Sequence, residues 1–134
     1  MRWFQSEAPK ATREAGQQAE DRALAHLQRQ GLRLVQRNFR TPGRGGGEID
    51  LIMREPDGTL VFVEVRQRRS GAYGGAAASI GLAKRRRIVF AARHFLARQR
   101  SMPRMRFDAV LIDGEASDIQ WLRAAFDAGD LFSF

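Results

Sequence analysis

The chain has 134 residues and a hydrophobic content of 43%, which suits one domain with a single core. It contains no cysteine and two histidines, so disulfides, thiolate metal sites and cysteine nucleophiles are excluded, and any metal must be held mainly by carboxylates. No apolar run approaches the ~20 residues of a transmembrane helix, and the N-terminus lacks a signal-peptide pattern. We therefore expect a cytoplasmic protein without a membrane partner.

The charge of the chain is strongly basic and unevenly distributed. Its 23 basic and 15 acidic residues give a net charge of +8, and all the basic residues except Lys10 and Lys84 are arginines. Residues 1–100 carry a net charge of +11, whereas residues 101–134 carry −3. Such a field favours polyanionic partners, chiefly nucleic acid, although a codon bias toward arginine explains the composition equally well.

Residues 1–11 show no usable periodicity and are predicted to be a mobile leader, so that residues 12–134 form the single domain. The first predicted element is a helix over 12–30, which ends where Gly31 can cap it. Its inward stripe consists of residues at three- and four-residue steps: Glu20, Ala23, Leu24 and Leu27. The helix therefore turns the carboxylate of Glu20 toward the interior.

Three strands are predicted after this helix. The first covers 32–40, and a glycine-rich, positively charged turn over 41–47 separates it from a hairpin with strands over 48–53 and 59–66. On the first hairpin strand, alternation gives one face to Glu48, Asp50 and Ile52. On the second, it gives one face to Leu60, Phe62, Glu64 and Arg66. Each hairpin strand thus carries an acidic residue where packing favours an apolar one.

The second half of the chain completes an α/β pattern. After a loop over 67–77, a helix is predicted over 82–98, with Lys84 on its apolar stripe. The other residues of that stripe are Ile88, Ala91, Ala92 and Phe95. Strands over 106–113 and 119–122 complete the order αβββαββ, which predicts a mixed central sheet of about five strands flanked by helices.

Asp50 and Glu64 are expected to lie side by side on paired strands. Two buried carboxylates repel each other unless a cation stands between them. Mg²⁺ prefers hard oxygen ligands and typically uses one or two carboxylates together with phosphate oxygens and water. We therefore predict Mg²⁺, with Mn²⁺ as the alternative ion, held by Asp50, Glu64 and the backbone carbonyl of Val65. Arg66 would point at the attacking water or the phosphate, a combination typical of phosphodiester hydrolysis.

Two short segments and their spacing are similar to a known family. Residues 47–52 read Gly-Glu-Ile-Asp-Leu-Ile and residues 61–66 read Val-Phe-Val-Glu-Val-Arg, and they are followed by Gly74-Gly75 and Lys84. In this order they resemble the uncharacterised bacterial YraN family from about residue 14 to residue 126.

The YraN family in turn resembles the PD-(D/E)XK nucleases and, among them, the archaeal Holliday-junction resolvases, in which a helix glutamate precedes an Asp and a Glu-x-Lys. Glu20, Asp50 and Glu64 match this pattern. The resemblance implies a restriction-endonuclease-like core, Mg²⁺ dependence, a structured or branched DNA substrate and, as in resolvase-like relatives, a homodimer.

Arg66 departs from that pattern, since the nucleases usually have lysine there. Arginine is effectively never deprotonated and cannot act as a general base. Either Arg66 stabilises charge in the transition state while an activated water attacks, or Lys84 supplies the missing amine. The predicted catalytic residues are Glu20, Asp50, Glu64, Arg66 and Lys84.

Basic and aromatic side chains near these residues are predicted to contact nucleic acid. They are Arg44, Arg68, Arg69, Tyr73, Lys84, Arg85, Arg86 and Arg87. Purely structural alternatives are a solvated helix face for the run 84–87, a salt bridge for Glu64, and pairing of Glu20 with Arg22 or Arg40.

Two functions follow from these observations. One is a Mg²⁺-dependent endonuclease for structured or branched DNA. The other is a non-catalytic nucleic-acid-binding module on a nuclease scaffold, which the arginine excess and Arg66 favour. Docking on structured RNA is a weaker third possibility, because nothing in the sequence separates RNA from DNA.

Overall fold

The computed structural model describes residues 10–43, 45–68, 80–113 and 118–129. In chain order its elements are α1 (Lys10–Arg29), β1 (Arg33–Arg40), β2 (Glu48–Arg54), β3 (Leu60–Arg68), α2 (Leu82–Leu96), β4 (Met105–Asp113) and β5 (Ile119–Phe126). The predicted α/β class and the order αβββαββ are confirmed. Of the predicted leader, residues 1–9 lie outside the described part, and α1 begins at Lys10.

The five strands form one mixed sheet in the order β1-β2-β3-β4-β5. Neighbouring strands are antiparallel except β3 and β4, which are parallel from the pair Leu60–Met105 to the pair Arg68–Asp113. Parallel neighbours require a crossover connection, and α2 lies within the connection between these two strands. In the described ranges, no helix has the length and apolarity needed to cross a bilayer.

The two faces of the sheet are covered by different helices. One cluster joins α2 to the sheet through residues such as Phe39, Ile52, Phe62, Ile88 and Phe95. The other joins α1 to the opposite face through residues such as Ala23, Leu27, Leu51, Val61 and Val63. The apolar stripes predicted for the two helices are therefore confirmed, and the alternation of β3 distributes its side chains between the two layers.

Two glycines end elements as the sequence predicted. Gly31 has a φ of +100° and donates to Gln28 O at the end of α1, where a left-handed residue closes the last turn. Gly58 has a φ of +96° in the turn between β2 and β3, and Glu55 N donates to Thr59 O across it. The predicted hairpin is therefore present.

Two strands extend two or more residues beyond their predicted C-terminal ends. β5 continues to Phe126 instead of ending at residue 122, because the side chain of Asp108 accepts the Ala124 N–H at 2.9 Å and bridges a local irregularity in the pairing. Ala124 has a φ of +50° at that point. β3 continues to Arg68, which the sequence had assigned to the loop over 67–77, because the long β4 pairs with it as far as Asp113.

Candidate active site

The candidate site lies where β2 separates from β3. The ladder between these strands ends at the pair Leu51–Val63. Asp50, which precedes Leu51 in the chain, lies just beyond this end. The Val65 N–H then donates to the Asp50 Oδ2 at 2.8 Å, so a carboxylate takes the place of a strand carbonyl. Asp50 is thereby fixed beside Val65, the residue whose carbonyl was predicted as a metal ligand.

The backbone around Asp50 interrupts the alternation of β2. Ile49 packs in the α2-facing cluster and Leu51 in the α1-facing cluster, although residues two apart in a regular strand share a face. The strict alternation that the sequence predicted for Glu48, Asp50 and Ile52 is therefore interrupted between Ile49 and Leu51. Across the ladder, Asn38 lies between the residues paired with Leu51 and Ile49 and has a φ of +54°, a conformation that asparagine tolerates better than most residues.

Glu64 approaches the site from the α2-facing side of β3, as predicted from its alternation with Leu60 and Phe62. Its side chain is 8% exposed, and its Oε2 lies 3.6 Å from Lys84 Nζ near the start of α2. Lys84 therefore faces the carboxylates, and the amine that the sequence placed on the inward stripe does reach Glu64.

The Asp50 and Glu64 carboxyl groups are within hydrogen-bonding contact of each other. Burial, together with the negative charge of Glu64, raises the pKa of Asp50 to about 7. Burial also raises the pKa of Glu64, although the Lys84 ammonium and, more weakly, Arg66 act in the opposite direction. The pair therefore holds a proton near neutral pH unless another cation joins it.

Glu20 approaches the same point from the α1 side of the sheet. Burial raises the pKa of its carboxyl, and the charge of Asp50 adds to this effect. Arg37 on β1 donates from Nε to Glu20 Oε1 at 3.3 Å. The pairing with Arg22 or Arg40 that the sequence offered as an alternative is therefore wrong, because Arg40 pairs with Glu48 and Arg22 reaches a backbone carbonyl on β4.

The predicted catalytic residues thus converge on one region from four elements and both faces of the sheet. Glu20 comes from α1, Lys84 from α2, and the remaining ones from β2 and β3. Arg66, which is half-buried, lies on β3 where its charge acts on Glu64. The convergence depends on the early separation of β2 from β3.

The donor set at this point fits a divalent cation with oxygen ligands. In the described part of the chain, no cluster of three or more Asp, Glu, His or Cys side chains has the geometry of a metal site. Mg²⁺ does not require such a cluster, since one or two carboxylates with water and substrate oxygens usually suffice. Asp50 and Glu64 bring two carboxyl groups into contact, and such an ion would neutralise the repulsion between their negative charges.

The residues predicted to contact nucleic acid divide into distinct groups. Arg85 donates from Nε to Ile80 O at 2.6 Å and its guanidinium lies 5.9 Å from the Phe126 ring centroid, so it stabilises the fold. Arg86 and Arg87 are exposed on α2. The remaining predicted contacts, Arg44, Arg69, Tyr73 and the side chain of Arg68, lie outside the described residues, as do Gly74 and Gly75.

Gly47 explains how α2 comes close enough for Lys84 to reach Glu64. A Cβ atom at this position would lie 1.9 Å from Arg87 O and 3.0 Å from the Ala91 side chain. The neighbouring loop is fixed by Thr41, whose Oγ1 accepts the Gly47 N–H at 2.7 Å. Glycine at 47 is thus a packing requirement between the β1–β2 loop and α2.

Sequence reasoning missed three residues of this site: Arg37, Asn38 and Gly47. The glycine run over 45–47 was a visible signal, but it was interpreted only as a flexible turn. The roles of Arg37 and Asn38 depend on the pairing of β1 with β2, which the sequence does not specify.

Residues 19–112 match the uncharacterised protein family UPF0102. The chain belongs to this family. It is 75% identical over 118 residues to a UPF0102 protein of Paracidovorax citrulli, covering 88% of this chain and 86% of that protein. It is 69% identical over 119 residues to one of an Acidovorax species, covering 89% of each chain. A UPF0102 protein of Cupriavidus taiwanensis is 58% identical over 128 residues, covering 96% of this chain and 94% of the relative.

Proposed function

We propose that this UPF0102 protein is a cytoplasmic Mg²⁺-dependent endonuclease that hydrolyses phosphodiester bonds in structured or branched DNA. The observation that carries the proposal is the contact of the half-buried carboxyl group of Asp50 with the buried carboxyl group of Glu64, under the ammonium of Lys84. Placing two like charges in contact destabilises the fold unless a ligand uses them, so the arrangement favours a site over a structural role.

In this proposal Asp50, Glu64 and the carbonyl of Val65 hold the metal ion, with Mn²⁺ as an alternative to Mg²⁺. When bound, the ion supplies Lewis-acid stabilisation of the phosphate and lowers the pKa of a water molecule. Asp50 is oriented by the Val65 N–H, which frees its second oxygen for the ion. Glu20, held by Arg37, orients the attacking water from the other face of the sheet.

The cationic residues stabilise the charge that develops during hydrolysis. The water oxygen bonds to phosphorus and loses a proton, the bond from phosphorus to a deoxyribose oxygen breaks with its electron pair, and that oxygen takes up a proton, so that one water is added across the bond. Arg66 and Lys84 neutralise the additional negative charge on the phosphate oxygens. Lys84 is the amine in this arrangement, since arginine at 66 cannot exchange a proton near neutral pH.

The test is a cleavage panel in which purified protein meets linear, flapped, four-way and single-stranded DNA with Mg²⁺ or Mn²⁺. We expect at least one substrate to be nicked, and D50A and E64A each to abolish nicking. Gel filtration with light scattering would accompany the panel, because we also propose a homodimer that places one site on each of two strands. Inactivity of the wild type across the panel would contradict the enzymatic proposal.

A second candidate is a nucleic-acid-binding module that does not cut. It is favoured by the pairing of Glu20 with Arg37 and of Glu64 with Lys84, since two of the three carboxylates already have a cation. In that case D50A should bind DNA as well as the wild type or better, because repulsion between carboxylate and phosphate is removed. Structured RNA is a further possible ligand for this module, and adding an RNA hairpin to the binding panel would test it.

A further inference from the structure

A groove next to the carboxylates has a cationic lining. It lies between the β1–β2 loop and α2, with a volume of about 380 Å³. Arg40, Lys84 and Arg87 contribute its cationic lining, and the backbone of glycines 45–47 forms the facing wall. This volume is near the lower end of the range for pockets that bind small ligands, so the groove suits one sugar–phosphate unit better than a duplex.

The charge of the groove is poorly balanced within the described residues that line it. Glu48 is its acidic residue and pairs with Arg40 at 3.4 Å. The two side chains are 73% and 40% exposed, and an ion pair this exposed contributes little free energy and is readily exchanged for another anion. Beyond this pair the groove has Arg87 and Lys84, of which Lys84 is shared with Glu64, and guanidinium groups match the geometry of phosphate oxygens.

Lys84 belongs to both the groove and the carboxylate site. Its Nζ lies 3.6 Å from Glu64 Oε2, and the same side chain lines the groove. An anion in the groove and a phosphate at Asp50 and Glu64 would thus lie on either side of one amine. A polymer with phosphates at regular intervals satisfies both positions, whereas a single free phosphate satisfies one.

We propose that the groove binds the backbone phosphate adjacent to the one that is hydrolysed, with Arg40 and Arg87 as its contacts. The inference rests on the proposed function and narrows its substrate. Because the groove accommodates one strand, the DNA must present an unpaired or separated strand on this side of the cleavage point. A flap or a branch has such a strand, whereas an intact linear duplex does not.

The test compares two double variants with the same loss of charge. R40A/R87A removes the groove arginines, and R33A/R104A removes two exposed arginines away from it. Arg33 is seven residues before Arg40 on β1, or roughly 23 Å along an extended strand. Arg104 immediately precedes β4, whose first residue pairs with Leu60. Leu60 is the first residue of β3, and Arg66 lies near the other end of that strand.

Binding is measured by fluorescence anisotropy with a labelled single-stranded oligonucleotide and a labelled flap, in EDTA and over a series of salt concentrations. For R40A/R87A we expect about a tenfold or larger loss of affinity. The slope of log affinity against log salt for the single strand should fall in magnitude by about 1.4, which corresponds to two phosphate contacts. R33A/R104A should lose far less affinity, and thermal melting should confirm that both variants are folded.

The outcomes separate the groove from the catalytic proposal. Equal losses in the two double variants, or no binding by the wild type, would overturn the groove inference even if the protein cuts DNA. A selective loss in R40A/R87A would support the groove, and it would stand as a binding site even if the wild type nicks nothing in the metal-supplemented panel.

Discussion

Two aspartates of this protein, the fully buried Asp108 and the half-buried Asp50, lie in contrasting surroundings. Asp108 on β4 is fully buried, and its carboxylate accepts from Arg106 Nε at 3.0 and 3.1 Å, from Trp121 Nε1 at 2.9 Å and from Ala124 N at 2.9 Å. Arg106 is also hydrogen-bonded to Glu55. The charge and the hydrogen-bonding capacity of Asp108 are therefore matched by the fold, which is the usual condition for a buried carboxylate.

Asp50 on β2 lies instead against a second carboxyl group. It accepts the Val65 N–H, but the charge that raises its pKa most is that of Glu64. The charge of Lys84 lowers the pKa of Asp50, and this effect is weaker. The comparison teaches that burial of a charge does not by itself distinguish structure from function. The distinguishing feature is whether the fold neutralises the charge, as at Asp108, or places it beside a second carboxyl group, as at Asp50.

The largest effect is expected where the fold depends on the neutralised charge. D108A would leave the partly buried guanidinium of Arg106 without one of its carboxylates and would remove the acceptor of the Ala124 N–H. We expect the free energy of unfolding to fall by about 3–5 kcal/mol. Urea denaturation followed by circular dichroism measures it, and a loss below about 1 kcal/mol would show that this cluster is not structural.

The next largest effect should follow from moving α2. In G47A the new methyl group would meet Arg87 O, so the loop or the helix must shift, and we expect a loss of about 1–3 kcal/mol. Lys84 should move away from Glu64 at the same time, which would weaken DNA binding. The matched control is G16A on α1, where no atom lies within 4 Å of the new Cβ and alanine should stabilise the helix by about 1 kcal/mol. Similar destabilisation in both variants would contradict this role of Gly47.

A smaller effect of opposite sign is expected at Asp50. The carboxyl group has a pKa of about 7 in the folded chain and an ordinary value of 3.8, so between these values the folded state holds a proton that the unfolded state has released. This contribution makes the wild type less stable as pH rises from about 4 to 7 in the absence of divalent ions. D50N removes it and should be more stable than the wild type at pH 8 by on the order of 1–2 kcal/mol.

Urea denaturation at pH 5 and pH 8 in EDTA measures this difference. The advantage of D50N should be small at pH 5 and larger at pH 8, and adding Mg²⁺ should reduce it by stabilising the wild type alone. A difference between the two proteins that does not change with pH would mean that Asp50 is neutralised within the fold, as Asp108 is.

The smallest effect is expected for the exposed pair Arg40 and Glu48. R40A should change the free energy of unfolding by less than about 1 kcal/mol, because exposed ion pairs contribute little. E48Q is the matched variant and should be similarly neutral for stability while strengthening DNA binding. A large loss of stability in R40A would show that the groove arginine is structural.

The parts of the fold that were predictable are those set by local periodicity. The positions of Ala23 and Leu27 on α1, of Ile88 and Phe95 on α2, and of Glu64 on the α2-facing side of β3 follow from the spacing of apolar residues. Lys84 was predicted to face inward by the same reasoning. These features depend on one element at a time, so the sequence contains them.

The geometry at Asp50 was not predictable in the same way. The change of face between Ile49 and Leu51 depends on where β2 leaves β3 and on the positive φ of Asn38 on a different strand. Such features arise from pairing between distant segments and override alternation. Asp108 did give a signal, as an acidic residue within the apolar run of β4, but Ala124, one of its two partners on β5, lay beyond the predicted end of that strand.

The central claim is that Asp50 and Glu64 form a site for a divalent cation, and isothermal titration of Mg²⁺ and Mn²⁺ tests it directly. Titrations at pH 7 in two buffers with different heats of ionisation should show binding by the wild type with release of protons, because Asp50 is partly protonated there. D50N and E64Q should lose this signal, whereas R33A/R104A should keep it. Equal heats in the wild type and D50N, or binding without proton release, would contradict the account.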